Sequence, residues 1–449
     1  MAQVLTSALA LLGGPRAVTA EQGNTFTWPI ITPEIEAAVL DVLRAGKMSG
    51  TDVTMQFERE FAAWHGTQYG LAHNTGTSAL HSAMFGLGIG KGDEIICPSM
   101  TYWASCLPVY SLGGTVVFAD IDPHSLCIDP NDIERWITPR TKAIVAVHYL
   151  GYPADMDPIM AIARKHDLKV IEDCSHAHGA RYKGKMVGTI GDVGAFSLMS
   201  GKSFAIGEGG IFLTNDQRVY ERAIAFGHYE RHASLEEDDL AAGAGLPWGG
   251  YKYRMHQLSS AVGREQLKNY PAQMAEIDEA MNYFWDLLED VPGVRAHRPP
   301  KDSGLTMGGW YAPVGLYRPE ELSGLSVKRF CQALAAEGVP TRAGCNKALH
   351  LHPVFEELDI YGDGKPTRVA NLPDGVTISQ PKGTFPVAEG IQERVFGVPW
   401  FKKYRPELIQ EYADAIKKVV SRHDELLADD PGNGPDGGNW GMSRREAGQ

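Results

Sequence analysis

Val170-Ile171-Glu172-Asp173-Cys174-Ser175-His176-Ala177-His178-Gly179-Ala180 carries an apolar run into a turn rich in titratable groups. Lys169 to Asp173 reads as a strand that ends on a carboxylate. Its near-continuous apolar character, rather than strict alternation, fits a strand covered on both faces. Three upstream runs share that character: Asp93 to Pro98, Thr115 to Asp120, and Ala143 to His148. Between them, Ser78 to Leu87 and Met156 to His166 have helical spacing. Strand alternating with helix over residues 68–215 predicts an α/β domain with a mostly parallel central sheet. Ligands of such sheets sit beyond the carboxyl ends of the strands, where Asp173 and the loop after Pro98 fall.

After about residue 270 the pattern changes. A helix over Met274 to Leu288 leads into a smaller α+β-like region, closed by a helix over Glu407 to Val420 with Leu408, Tyr412, Ile416 and Val419 on one face. The expected organisation is an N-terminal arm (1–27), a large domain (28–268), a smaller C-terminal domain (269–424) and a Gly-, Pro- and Asp-rich tail (425–449) expected to be disordered. The apolar run Val4 to Leu12 lacks a preceding Lys or Arg and is too short to span a bilayer. It reads as an arm packed on the body. The 449 residues carry a net charge of −13 with no basic run, which argues against nucleic acid and anionic membranes as partners. None of the six cysteines forms a C-x-x-C pair, so no metal site is expected, and reduced thiols in a cytoplasm are the simplest reading.

Three segments carry chemistry. Lys202 lies in Gly194-Ala195-Phe196-Ser197-Leu198-Met199-Ser200-Gly201-Lys202-Ser203-Phe204-Ala205-Ile206-Gly207-Glu208-Gly209-Gly210, with no other cation between Lys185 and Arg218. A partly desolvated lysine has a lowered pKa and becomes a nucleophile, although an exposed loop lysine fits that segment equally well. Asp173 would be costly to bury unpaired, and a protonated pyridine nitrogen is a suitable partner. His73-Asn74-Thr75-Gly76-Thr77-Ser78-Ala79-Leu80 opens a helix whose free N–H groups suit a phosphate; alone it is equally an ordinary N-cap at Thr77 or Ser78. A phosphate cup, an acid for a ring nitrogen and a lysine for an aldehyde share one economical explanation, pyridoxal 5'-phosphate.

With those segments in view, the chain resembles the sugar aminotransferases of the DegT/DnrJ/EryC1/StrS type, over residues 28–422. The resemblance rests on Asn74-Thr75-Gly76-Thr77, Pro98-Ser99-Met100-Thr101-Tyr102, Glu172-Asp173, Phe196-Ser197, Gly201-Lys202 and Gly207-Glu208-Gly209-Gly210, with 29 positions from Asp173 to Lys202. It implies the fold-type I transferase architecture and pyridoxal phosphate held covalently by Lys202. Asp173 would keep the pyridine nitrogen protonated. His176 would sit near the ring hydroxyl, Tyr102 would stack on the ring, and Ser197 with Gly76 and Thr77 would hold the phosphate. The family's Gly-Tyr-Asn-Tyr-Arg motif is here Gly250-Tyr251-Lys252-Tyr253-Arg254. Lys252 would then reach the phosphate of a second subunit as a point charge, which implies a homodimer with shared sites.

The reaction implied is ping-pong transfer of an amino group from L-glutamine or L-glutamate to a ketone. Nucleotide-sugar members commonly carry proline two before the lysine and asparagine after it. Ser200 and Ser203 stand there instead, which is nearer the branch acting on inososes and the aminohydroxybenzoate synthases. The expected acceptor is a free cyclitol or keto-sugar of amino-sugar or antibiotic biosynthesis, with a nucleotide-linked keto-sugar as the alternative. A dehydratase on the same fold would replace the lysine with histidine, and a non-catalytic regulator would not need Asp173, His176 and Lys202 together. His350 and His352, in Leu349-His350-Leu351-His352-Pro353, either touch the acceptor or serve the structure.

Overall fold

The computed structural model describes residues 7–434. Its strands are β1 (Tyr69–His73), β2 (Glu94–Pro98), β3 (Thr115–Ala119), β4 (Thr141–Val147), β5 (Lys169–Asp173), β6 (Arg181–Tyr182), β7 (Lys185–Met186), β8 (Val193–Ser197), β9 (Gly210–Thr214), β10 (Val294–Ala296), β11 (Val314–Tyr317) and β12 (Val395–Gly397). The central sheet runs β1-β9-β8-β5-β4-β2-β3. Only β9 is reversed; its antiparallel neighbours β1 and β8 run with the remaining strands. The chain is therefore an α/β protein with a mostly parallel sheet. The four parallel runs read from sequence all form strands, because apolar residues dominate both faces: every residue of β2 and β3 is buried.

The parallel strands end on one edge of the sheet. Pro98 of β2, Asp173 of β5 and Ser197 of β8 are terminal residues there, and the helix Gly76–Gly86 starts three residues after β1. Helix Met156–His166 has the predicted bounds, stopping at Asp167 in a left-handed conformation. The helix expected from Met274 instead begins at Gln257 and continues to Asp286 through Pro271. Its first half buries Gln257, Ser259, Ser260, Ala261 and Gly263, so it lacks the apolar period that marks the second half. Val262 and Leu267 pack on the sheet's core, whereas Ile277, Met281, Phe284 and Trp285 enter a second apolar core with Tyr317 of β11 and helices Val327–Glu337 and Pro406–Ser421. The sequence boundary at 268/269 thus falls inside one continuous helix.

The first and last described segments pack on that second core. Leu9, Ala17 and Val18 are buried in it. The Glu337 carboxylate accepts from the Ala10 and Ala17 amides and pairs with Lys418 at 2.9 Å in full burial. The run Val4 to Leu12 lies partly outside the described residues. Of the tail read from 425, residues 425–434 remain against the body: Asp430 accepts from the Ser326 amide at 2.7 Å. Residues 435–449 lie outside the described part.

Residues 345–391 return to the first core, through Ala348, Leu349, Phe355, Phe385, Ala388 and Ile391. They cover the edge strand β3. The Gln380 amide group takes the place of a missing neighbour strand, accepting from the Phe118 amide at 3.0 Å and donating to the Phe118 carbonyl at 2.8 Å. Its oxygen also accepts from the buried Arg368 at 2.8 Å. Replacing Gln380 by Leu leaves these buried groups unmade. An unfolding free energy lower by about 2 to 4 kcal/mol is expected in denaturant titrations.

Candidate functional site

The end of β5 carries two consecutive carboxylates that point to opposite faces of the sheet. Glu172 is saturated. It accepts from the amides of Gly188, Ile190 and Gly191 at 2.8, 2.7 and 2.7 Å and meets His148 Nε2 at 3.0 Å. Burial raises its pKa, but His148 and those amides outweigh burial and hold it below the usual carboxylate value. Asp173, only 5% exposed, accepts from Ser105 Oγ at 2.7 Å and from the Ser175 amide at 3.1 Å. An ionised carboxylate has about four acceptor sites, so Asp173 retains capacity for a further N–H.

Lys202 lies on the turn between β8 and β9. Its amide donates to the Met199 carbonyl at 2.8 Å and its carbonyl accepts from Trp28 Nε1 at 2.9 Å. Gly207 closes the turn at φ +100°, a conformation costly for any residue with a Cβ. Burial lowers the Lys202 amine to about 8, with Asp173 partly opposing that fall. The sequence left open whether this lysine is exposed; it is 8% exposed.

His176 is held neutral. Burial pushes its pKa well below the ordinary value, and Lys202 and His178 push the same way. Its Nδ1 accepts from the Leu150 amide at 3.3 Å, so the ring proton sits on Nε2. His178 joins Lys202's turn to the sheet, through Ser203 Oγ at 3.1 Å and the Ser197 carbonyl at 2.8 Å.

The helix start is capped by Thr75 rather than by Thr77 or Ser78: Thr75 Oγ1 accepts from the Ser78 amide at 3.0 Å. Two glycines bring this terminus against the strand ends. A Cβ on Gly76 would lie 2.5 Å from Ser197 Cβ, and one on Gly210 would lie 2.3 Å from the Thr75 carbonyl oxygen. The terminus therefore presents Gly76 and Thr77 beside Ser197.

One cavity of about 560 Å³ brings together Gly76, Thr77, Tyr102, Asp173, His176, Ser197 and Lys202. Tyr102 is 37% exposed and its ring tilts against Trp103. Lys252 is outside this set. It is exposed, with Nζ 5.9 Å from the Tyr229 ring, and does not line the cavity of its own chain. His350 and His352 do not line it either. His350 is 2% exposed and bridges Ser99 at 2.7 Å to Glu389 at 3.1 Å, pinning the loop after β2 to the returning segment.

The opposite wall comes from Tyr311, Arg342 and Asn346, which the sequence reading missed. Tyr311 stacks on His176 at 4.4 Å, and the Lys202 amine lies 4.3 Å from its ring centroid. Arg342 is fixed beside β12, where the Gly397 amide donates to its carbonyl at 2.8 Å. The only local sequence signal for Tyr311 is the preceding Gly308-Gly309 pair; Arg342 has none.

The donor set fits pyridoxal phosphate. A helix start with hydroxyls suits its phosphate, a buried carboxylate with spare lone pairs suits its ring nitrogen, and a desolvated amine suits its aldehyde.

The profile of the DegT/DnrJ/EryC1/StrS aminotransferase family matches residues 29–378. The chain is 31% identical over 415 residues to the L-glutamine:2-deoxy-scyllo-inosose aminotransferase of Micromonospora echinospora, covering 89% of this chain and 95% of that one. It is 39% identical over 259 residues to the GDP-perosamine synthase of Caulobacter vibrioides, covering 55% and 64%. The aminotransferase from Psychrobacter cryohalolentis, solved by X-ray, superposes with a TM-score of 0.74 at 30% identity, covering 90% of this chain and 99% of that one. Fold, cavity and these likenesses agree: the chain belongs to the DegT/DnrJ/EryC1/StrS family and is a pyridoxal-phosphate-dependent aminotransferase.

Proposed function

We propose that this aminotransferase moves an amino group from L-glutamine or L-glutamate to the ketone of a free cyclitol or keto-sugar resembling scyllo-inosose. The observation that carries the reading is a lysine amine lowered to about 8, buried in one cavity with Asp173. When bound, pyridoxal phosphate supplies an aldehyde that condenses with amines and a ring that withdraws electrons from the adjacent carbon.

The chain's own residues do the rest. The helix start at Gly76 and Thr77, with the Ser197 hydroxyl, holds the phosphate ester. Asp173 keeps a proton on the ring nitrogen through its remaining lone pairs, and His176 donates its Nε2 proton to the ring hydroxyl. Tyr102 covers a ring face. The Lys202 amine would take a proton from the donor's α-carbon; an amine near 8 is partly neutral at physiological pH and suits that task. Arg342 lines the same cavity, and among the described residues no carboxylate pairs with it. Its guanidinium receives the donor's α-carboxylate.

Ser200 and Ser203 beside Lys202, with the inosose-acting relative, favour a free ring as acceptor. The likeness to GDP-perosamine synthase favours a second reading, a nucleotide-linked keto-sugar. The active unit proposed is a homodimer in the cytoplasm. Exposed Leu40, Leu43, Met48 and Met55 lie on or beside helices Pro33–Arg44 and Asp52–His65 and supply an apolar face for a second copy. Lys252, unused by its own cavity, would reach the phosphate site of that copy. Buried free cysteines, all six, accord with a reducing compartment.

Incubating the protein with pyridoxal phosphate, L-glutamine and scyllo-inosose should give the aminated ring by mass spectrometry, and Lys202→Ala should stay folded and give none. Turnover by Lys202→Ala at the wild-type rate would refute the assignment. Arg342→Gln should raise the KM for L-glutamine about tenfold or more while leaving that for the acceptor unchanged, since hydrogen bonds to charged groups contribute about 1.5 to 3 kcal/mol. The lowered lysine also sets a pH dependence. Between about 8 and the ordinary value of 10.5 the unfolded chain binds a proton that the folded chain does not. Stability of the cofactor-free protein therefore rises with pH across that window, and the cost of burying the amine is complete below it. Lys202→Met should lose this slope and gain at most about 3 kcal/mol at pH 7 in denaturant titrations.

A further inference from the structure

Tyr311 lines the cavity beside Lys202, and the cofactor chemistry leaves it without a task. Its backbone is forced. Gly308, Trp310 and Ala312 have φ of 57°, 53° and 46°, so two non-glycine residues flanking Tyr311 sit in the left-handed region. Each such residue costs roughly 1 kcal/mol or more and persists only where its surroundings over-determine it. They do so here. The Gly309 amide donates to the His178 carbonyl at 3.2 Å, and its carbonyl accepts from Trp400 Nε1 at 3.1 Å. Trp310 Nε1 donates to Asp278 at 2.7 Å. A Cβ on Gly308 would lie 2.3 Å from the His178 carbonyl oxygen, and one on Gly309 would lie 2.3 Å from the Tyr270 hydroxyl. The loop is wedged against the turn that carries Lys202.

The wedge delivers one aromatic ring. Tyr311 stacks on His176 at 4.4 Å and 29°, stands edge-on to Trp400 at 5.9 Å and 88°, and has the Lys202 amine 4.3 Å from its centroid. Transamination puts the substrate nitrogen where the lysine nitrogen was. The carbon bearing that nitrogen, and the ring it belongs to, must then lie against Tyr311.

We propose that Tyr311 is the acceptor-recognition platform of this enzyme, its ring packing on the C–H face of a six-membered cyclic ketone so that the ketone carbon lies beside Lys202. An aromatic surface of this kind selects rings with axial C–H groups over short acyclic keto acids. The hydroxyl of Tyr311 is not required for it; the ring is. This rests on the reading of the acceptor as a cyclic ketone, free or nucleotide-linked, and holds for either, because both present a six-membered ring.

The test separates the two half-reactions in single turnovers. The pyridoxamine form of each variant is mixed with scyllo-inosose, with a TDP-linked 4-keto-sugar, or with 2-oxoglutarate as the acyclic control. Tyr311→Phe should keep wild-type rates with all three. Tyr311→Ala should lose about tenfold more in kcat/KM with the cyclic ketone that the wild type accepts than with 2-oxoglutarate. Saturation-transfer NMR on the cofactor-free proteins gives a readout independent of turnover. The C–H protons of myo-inositol should receive saturation in wild type and Tyr311→Phe and lose it in Tyr311→Ala. An equal loss for cyclic and acyclic acceptors in Tyr311→Ala, or unchanged transfer to myo-inositol, would overturn the assignment. A wild type inert towards both cyclic ketones would instead sink the reading of the acceptor itself.

Discussion

A buried carboxylate and a buried amine share one cavity, and the rest of the structure is arranged to tolerate them. Asp173 ends β5 at 5% exposure and Lys202 lies on the β8–β9 turn at 8%. An uncompensated charge in such surroundings costs several kcal/mol, so each group needs partners or a shifted pKa. Asp173 has Ser105 and the Ser175 amide, with acceptor capacity to spare. Lys202 has its pKa lowered to about 8. Glu172, one residue earlier, is fully engaged with three amides and His148. Alternation along β5 thus separates a structural carboxylate from one with lone pairs available for chemistry.

The parallel sheet makes that placement possible. Its strand ends converge on one edge, so Ser197, Asp173 and the helix start at Gly76 meet without long loops. The roof over them comes from distant chain. Trp28, just after the N-terminal arm, bonds the Lys202 carbonyl, and Trp400 bonds the loop that holds Tyr311. Two tryptophans far apart in sequence thus hold the lysine turn and the loop facing it, and the helix Gln257–Asp286 runs unbroken between the two cores.

The sheet and the floor of the site were legible in sequence because both depend on local pattern. Apolar runs mark β2 to β5, and Asp173 ends one of them; Lys202 and the Gly76 turn are marked by flanking glycines and small residues. The upper wall was not legible. Tyr311 reaches the site through left-handed backbone at Trp310 and Ala312, which no side-chain period encodes. Arg342 arrives on a segment paired with β12, a long-range contact. The first half of helix Gln257–Asp286 was missed because its buried face is Gln, Ser and Gly. Residues 345–391, assigned to the smaller domain by order in the chain, pack instead on the edge of the sheet, where Gln380 substitutes for a strand. Lys252 shows the opposite case: a motif position that its own chain leaves outside the cavity.

The central claim concerns a bond to one lysine among many. Reducing the cofactor-loaded protein with borohydride converts a lysine–cofactor link into a stable secondary amine, and peptide mass spectrometry then locates it. The account predicts the added mass on the peptide containing Lys202 and on no other. Label on a different lysine, or none on Lys202 in a protein that still transaminates, would contradict it.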